Sequence, residues 1–576
     1  MSFSHEKTRR EHDMNDRIHP IQNGPLFTVD ALGRRLNEFP PRRQGKTVGV
    51  FYFLGSGGNA DCRIVDVTKI LQRDPEAYLS WDRWIAAGGV MNAGTYWGKP
   101  LFGYYSHEDE WVILRHIRML MDADVDYIIF DTTNNYICKP NVLNVLRVLD
   151  ALQKQGFKVP QVAFYTNTNS PKISMQIFEE IYLPNVERYE HLWFRWDGKP
   201  LMICHVDHTI QSPEFLDYFT IKDPIWPNEQ YKPNGWPWME FHRLYSPETV
   251  FGRDGRREVV SVSVAQHCDT GMFSETAFYG HNDRTRSWYN GANDTTPDAP
   301  LYGYNFAEQF EWAIEQDPET IFVTGWNEWC AVAGHWRENY PIQMCDCVTL
   351  NCSRDIEPME GGYEDNYYMQ LCQWIRRFKG CDRPFPLGEN HAVDLDGPSS
   401  QFDQATAVYR SPAGGTANRD HAGWGEWYSN ESGRNNIVEV RVLQNADTLY
   451  FHVKTAENLS VPSDDGWMTI FLSTGNGDAW AGVWDLAINR LAPHDGVTLV
   501  EHRTAEGWKA IGSAEIRVAG KDLMIALKKA LLKTDSSEIA FKVADHYEQD
   551  NVMSFYTVGD CAPYGRMNFV FTMKEL

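Results

Sequence analysis

Short apolar runs alternate with amphipathic segments over the first two thirds of the chain. Segments 108–121 and 141–155 repeat apolar residues at helical spacing, whereas the apolar runs have the length and the Val, Ile and Phe content of buried strands. Strands that alternate mostly with helices predict a parallel (β/α)8 TIM barrel over residues 47–380. We expect its strands at residues 48–54, 127–131, 161–167, 201–205, 219–226, 259–267, 321–328 and 344–350.

The pattern changes after residue 380. Segment 381–395 contains Pro and Gly and predicts a linker, and alternation with a period of two dominates from 396 to 576. Short alternating strands separated by Gly, Asn and Asp are typical of an all-β sandwich. Residues 1–46 are polar with little periodicity and predict an N-terminal arm over the barrel. Within the barrel, segments 206–258 and 268–318 predict loop insertions.

Composition and charge argue against some classes of binding partner. The 576 residues are 43% hydrophobic and 23% charged, which is ordinary for a soluble protein of more than one domain. The net charge of −24 repels phosphate backbones and argues against nucleic acid. No apolar stretch reaches the 18 residues of a membrane span, so no membrane partner is expected. The pattern predicts no oligomeric state.

The cysteines and the N-terminus bear on location. The 11 cysteines are an odd number and several lie inside apolar runs, which is typical of reduced, buried thiols. The first 20 residues are polar and charged and lack the apolar segment of a secretory signal. Both features favour the cytoplasm, the alternative being a secreted protein whose signal has been removed.

The segment Gly325-Trp326-Asn327-Glu328-Trp329 carries the clearest chemical signal. An apolar run leads into a carboxylate that lies between two tryptophans. Barrel enzymes place catalytic groups at the C-terminal ends of their strands, and aromatic rings are the flat surfaces on which sugars stack. We therefore interpret Glu328 as a catalytic carboxylate at the end of the seventh strand, with Trp326, Asn327 and Trp329 near the substrate. The alternative is a structural Glu among core tryptophans.

Glycoside hydrolysis normally needs a second carboxyl group. The candidates at or beyond other strand ends are Asp131, Asp269, Glu275 and Glu240. Asp131 has the alternative role of capping the next helix. Other strand-end side chains are candidate substrate ligands, each with core packing as the alternative: Tyr52, Tyr104, Tyr165, His205, Trp226 and His267. No metal site is expected, since the run of His205 to His208 has no evident partner.

Three motifs carry a resemblance to a known family. The Gly325–Trp329 segment, Ile356-Glu357-Pro358 and the Tyr-rich run that begins at Tyr363 resemble family 99 glycoside hydrolases, which include endo-acting α-mannosidases. The likeness covers roughly residues 320–380 well and the rest of the barrel by layout. It implies a (β/α)8 fold and a retaining or related glycosidase that needs no cofactor for catalysis.

One position departs from the family pattern. The family usually has an acidic residue three positions after the Asn-Glu-Trp glutamate, as acid/base, and this chain has Ala331 there. Three hypotheses follow: a glycoside hydrolase for a poly- or oligosaccharide whose second carboxyl comes from elsewhere, a glycan-binding protein without activity, or another sugar-active barrel enzyme. The third would be a lyase or transferase with Asp131 or His267 as its base.

The C-terminal region also has a family resemblance. Val393-Asp394-Leu395-Asp396-Gly397, the run 445–451 and Asp464-Asp465-Gly466-Trp467 resemble family 9-type carbohydrate-binding modules. Such modules are β-sandwiches and often hold a structural calcium ion. The resemblance implies an accessory sugar-binding module, and the alternative is a sandwich that only supports the barrel.

Overall fold

The computed structural model describes residues 20–55, 57–226, 229, 231–239, 250–267, 272–345, 347–388, 391–475 and 478–574. Within them, eight parallel strands form a nearly closed TIM barrel in the hydrogen-bonded order β6-β5-β4-β3-β2-β1-β8-β7. The strands are β1 (Thr47–Tyr52), β2 (Tyr127–Thr132), β3 (Gln161–Thr166), β4 (Lys199–Ile203), β5 (Thr220–Ile225), β6 (Gly235–Pro237), β7 (Val259–Ser263) and β8 (Thr320–Thr324).

One predicted strand is wrong, and its replacement lies in a predicted loop insertion. Among the described residues of 344–350 no barrel strand is present: the short strand Gln343–Met344 pairs with strand Cys330–Gly334 outside the barrel. The missing strand is β6, which has three residues and pairs with β5. Because it has only three residues and one of them is a proline, its sequence does not show the pattern of a barrel strand. Glu328 therefore follows the eighth strand, and His267 follows the seventh.

The helices surround the barrel and bury one face against it. In helix Glu110–Asp122 the buried residues include Val112, His116 and Leu120, which repeat at the four-residue spacing of one helical face. The described α-helices of the barrel region are Val67–Arg73, Trp81–Ala86, Glu110–Asp122, Lys139–Lys154, Ser170–Ile177, Leu183–Tyr189, Pro213–Tyr218, Phe273–Tyr279, Ala299–Tyr302, Tyr304–Gln316 and Asn366–Lys379, and the C-terminal region contains the short helix Ser554–Thr557. No helix in the described ranges has the length and apolar character that a bilayer crossing requires.

Aromatic side chains fill the barrel interior. Phe51 of β1 contacts Tyr165 of β3 and Phe322 of β8 edge to face, with ring centroids 5.9 Å apart in each pair. The Tyr165 hydroxyl donates to the Trp236 carbonyl at 2.9 Å and accepts from the Ile225 N–H at 3.0 Å. This hydroxyl therefore joins β3 to β5 and β6, and the packed interior gives the strand ends a rigid base.

The C-terminal region is a β-sandwich formed by a long sheet that folds back on itself. Tyr409, near one end of the sheet, stacks on Phe569 of the other layer with centroids 4.6 Å apart, and Phe451 meets Phe541 at 5.6 Å. Its main strands are Ala407–Arg410, Ile437–Gln444, Thr448–Thr455, Thr469–Ser473, Leu486–Ile488, Val497–Thr504, Gly507–Ala519, Asp522–Lys528, Glu538–Asp545, Asp560–Ala562 and Phe569–Thr572.

Short strands connect the remaining segments. Phe385–Pro386, within the predicted linker, pairs with Phe569–Thr572 and so adds an edge to the sandwich. The predicted arm contributes the hairpin Thr28–Val29 and Arg35–Leu36. The other short strands are Gly94–Tyr96, Arg195–Trp196, Trp288–Tyr289, Ala292–Asn293, Arg419–Ala422 and Trp427–Asn430.

Buried ion pairs join the sandwich to the barrel. Arg566 of the sandwich donates from Nε to Asp365 Oδ2 at 2.9 Å and from Nη2 to Oδ1 at 3.1 Å. Asp365 immediately precedes helix Asn366–Lys379 of the barrel, and neither side chain is more than 2% exposed. Two further buried pairs, Arg419–Asp109 and Arg118–Asp560, also connect the two parts.

We expect Arg566→Met to destabilise the protein by roughly 3–5 kcal/mol, because Asp365 would remain buried without its cation. Urea unfolding of the intact chain measures this change. The double variant Arg566→Met/Asp365→Asn should recover most of the loss, and Lys509→Met, at an exposed pair with Glu506, should change stability by less than about 0.5 kcal/mol. An Arg566→Met variant as stable as the unmodified protein would contradict the assignment.

Candidate active site at the mouth of the barrel

Glu328 lies in the loop that follows β8, four residues beyond the strand. Its side chain is 17% exposed, and its Oε2 accepts a hydrogen bond from Arg354 Nη2 at 2.6 Å. Arg354 is only 2% exposed, so the ion pair has a buried cation below a partly open carboxylate. A charge-assisted bond of this kind stabilises the ionised form of Glu328.

The residue after Arg354 binds the backbone of the same glutamate. Asp355 Oδ1 accepts the N–H of Glu328 at 2.5 Å. The buried Arg286 holds this second loop, since its Nη2 donates to the Asp355 carbonyl at 2.6 Å and to Ser353 Oγ at 3.0 Å. Two consecutive residues of one loop thus fix the main chain and the side chain of Glu328.

The carboxyl groups of Glu328 and Asp355 have opposite environments. Burial raises the pKa of Asp355 to about 7, although the nearby Arg354 guanidinium acts in the other direction. Asp355 Oδ2 is buried and has no hydrogen-bond partner within the described residues. Active sites use neighbouring carboxyl groups in this way: an ion pair keeps one group charged, and burial keeps the other protonated.

Tryptophans and a histidine extend the site toward β5, β6 and β7. Trp226 directly follows β5 and stacks on Trp238, which follows β6, with ring centroids 4.2 Å apart and an interplanar angle of 14°. The Arg354 guanidinium carbon lies 4.9 Å from the centre of the Trp238 ring. Burial, with a contribution from Arg354, holds the pKa of His267 well below its ordinary value, so this imidazole is neutral at pH 7. Half-buried Trp226 offers part of an aromatic face at the mouth.

A separate buried network supports the Glu328 loop from outside the barrel wall. Glu357 Oε2 accepts from Trp329 Nε1 at 2.6 Å and from the Tyr105 hydroxyl at 2.8 Å. Glu357 Oε1 lies 2.9 Å from His116 Nε2, and the Tyr52 hydroxyl lies 2.9 Å from Nδ1 of the same ring. All five side chains are buried. Tyr52 and Trp329 thus form part of this support.

Asn327 and Trp326 have supporting contacts as well. Asn327 accepts the N–H of Phe53 at 2.8 Å and donates to the Phe53 carbonyl at 3.2 Å, which ties the end of β1 to the loop after β8. Trp326 is fully buried against His116 and Tyr368. Of the predicted site residues, Glu328, Trp226 and His267 come together at the mouth, around Arg354 and Trp238.

The remaining candidates lie in other surroundings. Asp131 is the penultimate residue of β2, is half-buried and accepts hydrogen bonds from the N–H and the hydroxyl of Thr133 at 2.9 and 2.7 Å, the arrangement of a turn. Tyr165 lies inside the barrel core. His205, also half-buried, follows β4 and donates its backbone N–H to Ser170 Oγ. Asp131 and Tyr165 are thus on barrel strands, and His205 is the second residue after β4.

Two other predicted residues have their side-chain oxygens bound by other side chains, and two fall outside the described ranges. Buried Glu275 accepts from Arg337 at 2.9 Å and from Gln343 at 3.0 Å. The Tyr104 hydroxyl donates to Asp66 at 2.6 Å beside the sandwich hairpin. Asp269 and Glu240 are not among the described residues. The described part of the chain also contains no cluster of three or more His, Cys, Asp or Glu side chains suited to a metal.

A cavity of about 530 Å³ lies at the opposite end of the barrel, between the barrel, the arm and the sandwich. Its charged residues are largely paired, for example Lys379 with Asp126 at 2.6 Å. Asp122, at the end of helix Glu110–Asp122, lines this cavity, and burial raises its pKa to about 7. Because TIM-barrel enzymes act at the C-terminal ends of their strands, we place the candidate site at Glu328.

Comparison with known proteins gives a likeness to solved structures alone. No protein-family model matches the chain, and no curated protein matches it. A complex of the GH99 endo-α-mannosidase from Bacteroides thetaiotaomicron with BIS-TRIS-propane is 16% identical, with a TM-score of 0.36, over 58% of this chain and 97% of that one. A second structure of the enzyme is 16% identical, with a TM-score of 0.32, over 49% and 83%.

The Asp355 carboxyl should make stability fall as pH rises. Between about pH 4 and 7 the folded state holds a proton on this group that the unfolded chain releases, so the free energy of unfolding decreases through that window by up to about 1.4 kcal/mol per pH unit. We expect Asp355→Asn to lack this part of the slope. Urea unfolding at pH 5, 6, 7 and 8 compares the two proteins, and equal slopes would refute the expectation.

Proposed function

We propose that this protein is a glycoside hydrolase that cleaves a poly- or oligosaccharide, with Glu328 as a catalytic carboxylate. The observation that supports it best is the position of Glu328. A partly exposed carboxylate lies at the C-terminal mouth of a TIM barrel, paired with the buried Arg354 and next to the stacked Trp226 and Trp238.

Each of these groups has a role in sugar chemistry. An ionised Glu328 acts as a nucleophile or as a base that activates a nucleophile, and both roles need the charge that Arg354 stabilises. The exposed part of Trp226 gives a sugar ring an apolar face. His267, neutral at pH 7, is 1% exposed and stacks on Phe273 with ring centroids 3.7 Å apart, so it packs beside the site. The substrate class follows from this combination of a carboxylate with an aromatic surface.

The source of the second carboxyl stays open among the strand-end candidates. Asp131 is half-buried near the C-terminal end of β2, the end of the barrel at which Glu328 also lies. Asp269 and Glu240 follow β7 and β6 in the sequence. Glu275 fits less well, because the guanidinium of Arg337 and the amide of Gln343 bind its carboxylate.

A glycan-binding protein without turnover is the second candidate, and Ala331 favours it. This residue is 5% exposed in strand Cys330–Gly334 and pairs with Thr95, so the position where the resembling family carries its acid is a packed strand position here. The two candidates share the substrate class and differ in whether a bond is cleaved. The sandwich would serve either one as a support or as a sugar-binding module.

We expect Glu328→Gln to lower kcat on a responsive glycoside by several orders of magnitude while the fold is kept, because the amide carries no charge. Oligosaccharides and aryl glycosides of different sugars and anomers are the substrates. Glu319→Gln is the matched control: Glu319 directly precedes β8 at its other end and pairs with Arg256. Its variant should keep full turnover.

The outcome also separates the two candidates. A folded Glu328→Gln variant with unchanged activity would exclude Glu328 as the catalytic carboxylate. Binding of an oligosaccharide by calorimetry, without turnover by the unmodified protein, would favour the glycan-binding alternative.

Arg354 provides a second test of the Glu328 charge. Arg354→Met should lower kcat/KM by roughly 100-fold or more, since it removes the cation below the carboxylate and leaves a poorly solvated charge. Arg354→Lys keeps a cation without the planar fork and should retain an intermediate activity. Steady-state kinetics with circular dichroism as the folding control measures both, and equal effects of the two substitutions would show that charge is not what Arg354 contributes.

A further inference from the structure

We propose that Asp355 is a positioning residue for Glu328, and that its negative charge holds the Glu328 loop in the arrangement needed for turnover. The effect on turnover rests on the proposed function, whereas the effect on the loop itself does not. Asp355 is absent from the sequence-based candidates, and its contact is with the backbone of the candidate catalytic residue.

The position of Glu328 depends on contacts outside the sheet. The ladder between β8 and β1 ends at Val323 and Val50, and β8 itself ends at Thr324. Beyond it, the Glu328 N–H binds Asp355 Oδ1 at 2.5 Å and its carboxylate binds Arg354 at 2.6 Å. The loop of residues 353–355 therefore performs the alignment that strand pairing performs further down.

Charge strengthens the backbone contact. A carboxylate accepts a hydrogen bond from an N–H about twice as strongly as a neutral oxygen does. The guanidinium groups of Arg354 and Arg286 favour the ionised form of Asp355, while burial and the carboxylate of Glu357 oppose it. Because burial outweighs the two guanidinium groups and the hydrogen bond from the Glu328 N–H, the pKa of this carboxyl is raised to about 7 and the group changes charge close to neutral pH.

The direction of the effect follows. Above about pH 7, Asp355 is ionised and holds the Glu328 N–H tightly. Below it, the protonated group is a weaker acceptor, and its Oδ2, which is buried without a partner in the described residues, is free to carry the proton. kcat should therefore rise with pH through about 7, while KM changes little because Asp355 acts through Glu328.

The experiment compares Asp355→Asn, Asp355→Ala and the control Asp122→Asn in the full chain. Asp122 has a similarly raised pKa, but it lies at the other end of the barrel. In the unmodified protein and in Asp122→Asn, kcat on a responsive glycoside should rise through pH 7. Asp355→Asn should be roughly 10-fold slower at pH 8 with no rise, and Asp355→Ala roughly 100-fold slower, with KM within about twofold.

Amide hydrogen exchange of the peptide that spans residues 324–329 gives a readout that needs no substrate. Asp355→Ala should speed exchange of one amide, that of Glu328, by roughly 10-fold or more, because its acceptor is gone. Asp355→Asn keeps an acceptor oxygen and should restore much of the protection. Asp122→Asn should leave the exchange of this peptide unchanged.

The two readouts distinguish the possible failures. A protein without turnover on any glycoside would refute the proposed function, and hydrogen exchange would still decide whether Asp355 holds the loop. Unchanged exchange in Asp355→Ala, or an active Asp355→Asn variant with the same kcat and the same rise through pH 7 as the unmodified protein, would overturn the role of Asp355.

Discussion

The contact between the loop after β8 and the loop of residues 353–357 is the constraint on which the candidate site depends. Residues 353–357 contact the loop after β8 at the mouth of the barrel and also outside the barrel strands. Arg354 and Asp355 hold Glu328 at the mouth, and Glu357 holds Trp329 behind the wall. Since the barrel strands end before either loop, these side chains decide where the candidate catalytic carboxylate lies.

The contact between these two loops involves buried charged side chains. Burying a charge costs free energy unless hydrogen bonds or an ion pair compensate it. Glu357 is fully buried and has no arginine or lysine partner in the described residues, but Trp329, Tyr105 and His116 surround its two oxygens at 2.6 to 2.9 Å. A satisfied polar network of this kind rigidifies a site, whereas a partly satisfied one weakens it. Asp355 departs from this rule, since one of its oxygens has no partner within the described residues. Buried polar atoms without a hydrogen-bond partner are expected at functional sites, where a protein keeps arrangements that lower its stability.

The sequence predicts the architecture better than it predicts the site. Alternating apolar runs and amphipathic segments identify the barrel and the sandwich, because burial patterns determine both. Periodicity does not separate a short strand such as Gly235–Pro237 from a loop, and it assigned residues 344–350 wrongly. Within fully buried strands it also does not tell which residue points inward, so Tyr165 was predicted to bind substrate although it lies in the barrel core.

Some residues of the candidate site can be recognised in the sequence, and others only in the structure. Glu328 and Trp226 are visible in the sequence because polar or aromatic side chains at the ends of apolar runs mark the mouth of a barrel. Arg354 and Asp355 come from a segment without periodicity, about 26 residues further along, and only the fold brings them to Glu328. Their position directly before the Ile356-Glu357-Pro358 motif is the one sequence signal that could have identified them.

Contacts from the sandwich fix one end of the chain segment that holds the candidate site. The segment that holds Glu328 continues from Glu357 to Asp365, and Asp365 is fixed by Arg566 and by the Tyr556 hydroxyl, both from the sandwich. A division into a catalytic barrel and an accessory module describes the chain order well. It does not describe the contacts, because Asp365, at the end of the segment that aligns the site, is fixed by an ion pair and a hydrogen bond that both come from the sandwich. The sandwich therefore helps to hold the segment on which the candidate active site depends.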